Sequence, residues 1–213
     1  HPELVFTAMF QQRTQGNWTA AKAMIDAGEL GRIVRTSWII TDWFRTQAYY
    51  DSGGWRATWS GEGGGVLMNQ CPHNLDLFQW FVGMPRRITA FAGIGKYHDI
   101  EVEDEVTAYL EYENGMVGHF ITSTGEAPGT NRLEFVGEHG RLVCEKGRLF
   151  WAKNSRSMLV HLKEASSPWE PLPFEEQEIS VEGPMAGNHR IVLEDFAAAI
   201  REGRPPRIDA REG

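Results

Sequence analysis

Apolar residues recur along this chain with two different periods, and the change from one to the other organises it. Leu4 to Phe10 reads as a strand. Asn17 stands as the N-cap of a helix that carries Trp18, Ala21, Met24 and Ile25 on one face, and Gly28 follows where a left-handed cap is wanted. Ile33 to Thr41, rich in β-branched and aromatic residues after Gly31, predicts a strand. Asp42 to Ser60 shows no period, which predicts a long loop, and its aromatic side chains between Trp43 and Trp55 are expected to line a pocket. Gly63-Gly64-Gly65 opens a mainly helical stretch through Val82, stopped by Gly83 and Pro85.

From Arg87 to Val181 the period shortens to two. Runs such as Val106-Ala108-Leu110-Tyr112, Met116 to Ile121, Arg132 to Val136, Arg141 to Cys144 and Leu149 to Trp151 alternate. Turn signals at Asn114-Gly115, His139-Gly140 and Lys146-Gly147 separate them, the pattern of an antiparallel meander. Ile191, Phe196, Ala199 and Ile200 then share a helical face ending at Gly203. Strands grouped apart from three helices predict an α+β fold, a large, mostly antiparallel sheet with helices packed on one face. The strand Glu105 to Tyr112 has apolar residues on both alternating sets, so the open face is expected to be a subunit interface of a homodimer or homotetramer.

Composition narrows the function classes. The 213 residues suit one compact domain over 1–213, and no apolar run approaches the roughly 20 residues that cross a bilayer. A net charge of -8, a pI near 5.4 and scattered basic residues give no footprint for phosphate backbones, so neither nucleic acid nor membrane is an expected partner. Cys71 and Cys144 without a CxxC fit a reducing, cytoplasmic setting and no thiolate zinc site. No signal peptide pattern opens the chain, and its two ends read as those of a fragment.

The chemistry gathers in Gly63-Gly-Gly-Val-Leu-Met-Asn-Gln-Cys-Pro-His-Asn-Leu-Asp76. On a helix, Asn69, His73 and Asp76 fall on one side, opposite Leu67, Leu75, Phe78 and Val82, so a polar triplet is expected to face away from the core. Pro72 either opens the helix or kinks it, leaving Asn69 to a preceding turn. An imidazole one turn from a carboxylate suits a general acid or base; a surface ion pair is the plain alternative. The glycine triplet can cradle a phosphate or simply turn tightly against the pocket, with tight turning favoured. Gly93-Ile-Gly95 lacks the third glycine and the helix of a dinucleotide fingerprint and reads as a strand end.

The order Gly-Gly-Gly-x-Leu-x-Asn-x-x-x-His-x-x-Asp before a helix and a large sheet resembles the C-terminal domain of the glucose-fructose oxidoreductase and inositol dehydrogenase (Gfo/Idh/MocA) family. Gly28-Glu-Leu-Gly31, Gly53-Gly-Trp-Arg56, Glu103-Asp-Glu-Val-Thr-Ala108, Phe135-Val-Gly-x-x-Gly140 and His189 through Gly203 extend the likeness over nearly the whole chain. The resemblance implies the substrate-binding part of an enzyme moving a hydride between a sugar or polyol and NAD or NADP, the cofactor held by a separate N-terminal Rossmann domain. It implies His73 as proton donor or acceptor and Asp76 as a ligand of substrate hydroxyls. Asn69 stands where many relatives carry aspartate, and an amide cannot take a proton, which shifts acid–base work to His73. Gln12 and Arg13 are where relatives approach the nicotinamide.

Arg45, Tyr49, Trp55 and Arg56 offer the donors and flat faces that carbohydrates require, and His98 is a further candidate from a sheet loop. The acidic run Glu101 to Glu105 reads as strand-edge charge, and no metal is expected. A glycoside-cleaving relative that uses NAD transiently, or a non-catalytic sugar-binding or assembly module, are the competing classes.

Overall fold

The computed structural model describes residues 4–212. Helix α1 (Gly16–Asp26) precedes strand β1 (Ile33–Ile40). The loop after it holds the short helices α2 (Gln47–Asp51) and α3 (Val66–Asn69), and helix α4 (Pro72–Val82) follows. Five strands come next: β2 (Arg87–Ile94), β3 (Glu103–Glu111), β4 (Val117–Ser123), β5 (Asn131–Gly137) and β6 (Gly140–Glu145). Strand β7 (Arg148–Asn154), helix α5 (Met158–Glu164), strand β8 (Phe174–Ile179) and helix α6 (His189–Glu202) complete the order. The eight strands form one sheet in the order β2-β3-β4-β1-β5-β6-β7-β8. Only β1 with β4 is parallel, because the chain leaves β1, crosses the helical face through α2 to α4 and re-enters at the β2 edge. The α+β expectation holds, and the sheet is mostly antiparallel as expected, with β1–β4 its parallel pair.

The alternation dictates which side is covered. Trp38, Phe120, Leu133, Phe135, Leu142, Leu149 and Trp151 all turn to one face and are buried beneath α1 and α4. There Trp18 meets Trp38 at 5.5 Å, and Phe81 meets Phe135 at 5.2 Å between ring centroids. The other face carries Arg35, Arg132 and Glu134 in an ion-paired network, with the Ser37 hydroxyl 3.2 Å from His119. Exposed aromatic residues on that face, Phe91 at 77% and Tyr109 at 40%, lie at the β2–β3 edge. The uncovered face is therefore apolar at one end and charged in the middle.

Several expectations change. Leu4 to Phe10 forms no strand beyond one bridge, Thr7 to Asp209. Asn17 is not a cap, because α1 begins a residue earlier, where the Gly16 amide donates to the Pro184 carbonyl (2.9 Å) of a segment crossing the helix end. Asn17 turns inward instead and donates to Cys144 Sγ at 3.1 Å. Among the described residues six α-helices replace the expected three, and α5 and β8 went unseen because most of their positions are not buried. On α6 the buried residues are Val192 and Ala199, whereas Ile200 is exposed.

Candidate active site

The glycine triplet is shaped by a carboxylate of the same chain. At the start of α3 a Cβ on Gly65 would sit 1.9 Å from the Glu103 carbonyl oxygen, so only glycine allows β3 to approach. The buried Glu103 carboxylate accepts from the Gly65 amide at 3.0 Å and the Leu67 amide at 3.2 Å. An internal anion thus occupies the amide cradle that a phosphate would use. Asp104 is also buried, and its carboxylate accepts from the amides of Lys96, Tyr97 and His98 at 2.8–3.1 Å. Glu103 and Asp104 are thus interior capping groups rather than strand-edge charge.

His98 belongs to the same turn. Its Nδ1 lies 2.9 Å from Asp104 Oδ2, and its Nε2 lies 3.1 Å from the Arg45 carbonyl oxygen. With both ring nitrogens committed and the side chain buried against Tyr50 (4.7 Å between centroids), His98 braces the aromatic loop. It does not offer itself to a pocket.

Pro72 opens α4, and the break at Gln70–Cys71 separates Asn69 from His73, as a proline at a first helical position permits. Asn69 ends α3, exposed. The Tyr49 hydroxyl donates to Asn69 Oδ1 at 3.2 Å and accepts from Arg56 Nη1 at 3.0 Å. Gln70 Nε2 also donates to Asn69 Oδ1, at 2.6 Å, and the Asn69 amide donates to Glu62. Arg56 stacks over Tyr49 at 4.7 Å and Trp55 at 4.5 Å, and Arg45 lies over Tyr49 at 5.0 Å and Trp43 at 5.8 Å. The structure therefore brings Arg45, Tyr49, Trp55, Arg56 and Asn69 into one cluster with Tyr49 at its centre. Glu62 and Gln70 join it unforeseen, since neither spacing nor residue type singled them out.

Asp76 departs from the expected outward triplet. It is 5% exposed, and Arg13 grips it with Nε to Oδ2 at 2.9 Å and Nη2 to Oδ1 at 2.5 Å. Arg13 comes from a 3-10 turn (Gln11–Thr14), is itself buried and lies over the Trp80 ring at 5.5 Å. The pair fastens this turn to α4. It engages both Asp76, expected to bind substrate, and Arg13, expected to face the cofactor.

That anchoring presents His73 to the same turn. The ring is half-buried, edge-on to Phe10 at 5.9 Å, with Nε2 3.3 Å from Gln11 Nε2. Among the described residues, His73 Nδ1 and Gln11 Oε1 are both buried without a hydrogen-bond partner. Burial lowers the imidazole's pKa; Asp76 raises it and His189 lowers it further, so the net direction is down and the ring is neutral at pH 7. Such a ring can accept a proton or donate a hydrogen bond. Gln11 was not foreseen, whereas the half-buried Gln12 faces a cavity beside it.

Both cysteine thiols are buried and pushed up to about 11, which leaves no thiolate nucleophile near neutral pH. Among the described residues no cluster of three or more His, Cys, Asp or Glu is placed to hold a metal, and no helix is long and apolar enough to cross a membrane.

Comparison with known proteins converges on one family. The model described as GFO/IDH/MocA C-terminal domain matches residues 18–143. No curated protein matches the sequence. Among solved structures, the WlbA dehydrogenase of Chromobacterium violaceum, in complex with NADH and UDP-GlcNAcA, superimposes with a TM-score of 0.76 at 24% identity, covering 98% of this chain and 56% of that one. WlbA dehydrogenase of Bordetella pertussis, in complex with the same two compounds, gives 0.72 at 23% identity, with 98% and 56% covered. A levoglucosan dehydrogenase in complex with NADH and levoglucosan gives 0.73 at 22% identity, with 99% and 60% covered. The chain thus spans under two thirds of the length of these proteins.

Proposed function

The chain belongs to the GFO/IDH/MocA family through its C-terminal domain, and on that premise we propose that it is the substrate-binding part of an NAD(P)-dependent oxidoreductase acting on a sugar, polyol or related hydroxy compound. Solved relatives of the same fold are dehydrogenases bound to NADH with UDP-GlcNAcA or with levoglucosan, which supports that class.

The observation that carries the reading is the setting of His73. Its imidazole is half-buried and faced by a glutamine amide, with Nδ1 lacking a partner among the described residues, and burial holds its pKa below the usual value. A substrate hydroxyl displacing Gln11 from Nε2 would hydrogen-bond to the ring and pass it a proton as the carbon is oxidised. Asn69 and the Tyr49–Arg56 pair would hold neighbouring hydroxyls, since amide, phenol and guanidinium supply both donors and acceptors. Asp76 acts one step back, holding the Gln11–Thr14 turn through Arg13.

A dinucleotide's pyrophosphate wants free amides at a glycine turn opening a helix, but Glu103 takes those of Gly65 and Leu67, and the Gly95 amide donates to the Val102 carbonyl at 3.0 Å, so neither glycine turn fits it. On this reading NAD or NADP is held mainly by a nucleotide-binding portion outside this chain. The test is kinetic: in the protein joined to that portion, His73→Ala lowers kcat by about 10²- to 10⁴-fold, with imidazole restoring part of it. An unchanged kcat for His73→Ala would remove His73 from proton transfer.

A further inference from the structure

Among the described residues the sheet ends in two free edges, β2 and β8, and they are guarded differently. An edge strand leaves half of its amides and carbonyls unpaired, and folded proteins usually blunt it with charge, proline or a bulge. On β8, Glu175, Glu176 and Glu178 do this, since a second β8 laid alongside would set carboxylate against carboxylate. Strand β2 has none of these devices. From Ile88 to Ile94 it carries no charge and no proline, and every residue but Gly93 is exposed. Its register shift against β3 places the extra residue, Asp104, on β3 and leaves β2 itself regular.

The apolar surface continues past the strand. Ile88 pairs with Leu110 and Ala92 with Val106, both buried, so Ile88, Ala90, Ala92 and Ile94 lie on the helical side of the sheet. There a groove of about 620 Å³ runs between the edge and α3–α4, lined by Trp59, Met68, Leu75, Ala92 and Ile94. Trp59 and Met68 are more than half exposed, and Phe91, on the other side of the same edge, is 77% exposed. Contiguous apolar surface of this kind marks an association site.

The partner follows from the strand's own sequence. When two identical strands pair antiparallel about a twofold axis through Phe91, Ile88 meets the partner's Ile94, Ala90 the partner's Ala92 and Thr89 the partner's Gly93. Phe91 meets its own counterpart, and Arg87 falls opposite Gly95 rather than a second cation. Each step sets an apolar or small residue against another on the same face, the self-complementarity that an isologous contact requires. We propose that β2 is a self-association edge, at which two copies of this chain join β2 to β2 antiparallel about Phe91 and continue one sheet into the other. The contact uses the strand edge and its groove and leaves the charged middle of the open face free.

The test is sedimentation velocity of the chain over a range of concentrations, with a dimer of Kd about 10 µM or tighter expected. Backbone hydrogen exchange over 88–94 is expected to slow in step with dimer formation. Ala90→Lys should weaken association at least about tenfold, because it buries an unpaired cation at the joined edges. Adding Ala92→Glu should restore it to within about threefold of the parent, since position 90 of each copy faces position 92 of the other. Should Ala90→Lys lose the parent's near-ultraviolet dichroism, Phe91→Lys takes its place with the same expected loss. A chain that stays monomeric at about 100 µM, association untouched by the lysine, or no recovery in the double variant overturns the proposal. So does exchange over 88–94 that slows only when the nucleotide-binding portion is joined, which would give the edge to that portion.

Discussion

Two histidines in this protein each have an aspartate within a few residues, and they are used in opposite ways. His98 and Asp104 form a closed unit: the ring nitrogens face a carboxylate and a backbone carbonyl, and the carboxylate gathers three amides besides. Around His73 the neighbouring carboxylate is diverted. Asp76 is bound to Arg13, and the ring is left with one glutamine contact and a buried nitrogen that has no partner among the described residues. Proximity of a histidine to an aspartate therefore says little about chemistry. What separates these two imidazoles is whether their hydrogen bonds are already spent.

The sharpest way to break this comparison is to open the closed unit. Asp104→Ala strands three amides and a ring nitrogen in the interior, and a loss of about 4 kcal/mol in unfolding free energy is expected from urea titration. A loss below about 1 kcal/mol would mean that the 96–104 turn does not brace the aromatic loop. The second effect is set by the diverted carboxylate. Arg13→Met leaves Asp76 charged and buried without its bidentate partner, with an expected cost of about 3 kcal/mol. The double variant Arg13→Met with Asp76→Leu should recover most of that cost, because replacing both members of a buried pair with apolar groups is far milder than removing one. If the double variant were as unstable as the single, the ion pair would not be the source of the loss.

How much of this was legible beforehand follows from the range of the interactions. The strands of the sheet declare themselves by local alternation, and β1, β4 and β5 fall close to the expected segments. Edge strand β8 has five of six positions exposed and gives no such signal. Tyr49 and Arg56, singled out by residue type, and Asn69, singled out by the motif after the glycine triplet, meet in one cluster. The Arg13–Asp76 pair was not legible, because its partners stand 63 positions apart and the helical wheel shows Asp76 only as polar. Glu103 was misread for a related reason: alternation puts an acidic residue on a strand edge, while the missing Cβ at Gly65 lets that residue cap a helix end.

The smallest effect tests the open unit through its titration. His73→Ala removes a ring that has little bonding to lose, so a change in unfolding free energy within about 1 kcal/mol is expected at pH 7. The difference from the parent should depend on pH with a definite sign. Burial, reinforced by His189 and opposed by Asp76, holds the folded pKa below the usual 6.5 of the unfolded chain. Between those two values the unfolded chain binds a proton that the folded one refuses, so stability is full above about pH 6.5 and is lost as pH falls through the folded value. His119 is lowered too, by burial and by Arg35, and contributes with the same sign, so the comparison belongs in a His119→Gln background. In that background the His73→Ala chain should lose less stability than its parent between about pH 7 and 5. Superimposable curves would mean that His73 is as solvated as a surface histidine, and the contrast with His98 would then rest on His98 alone.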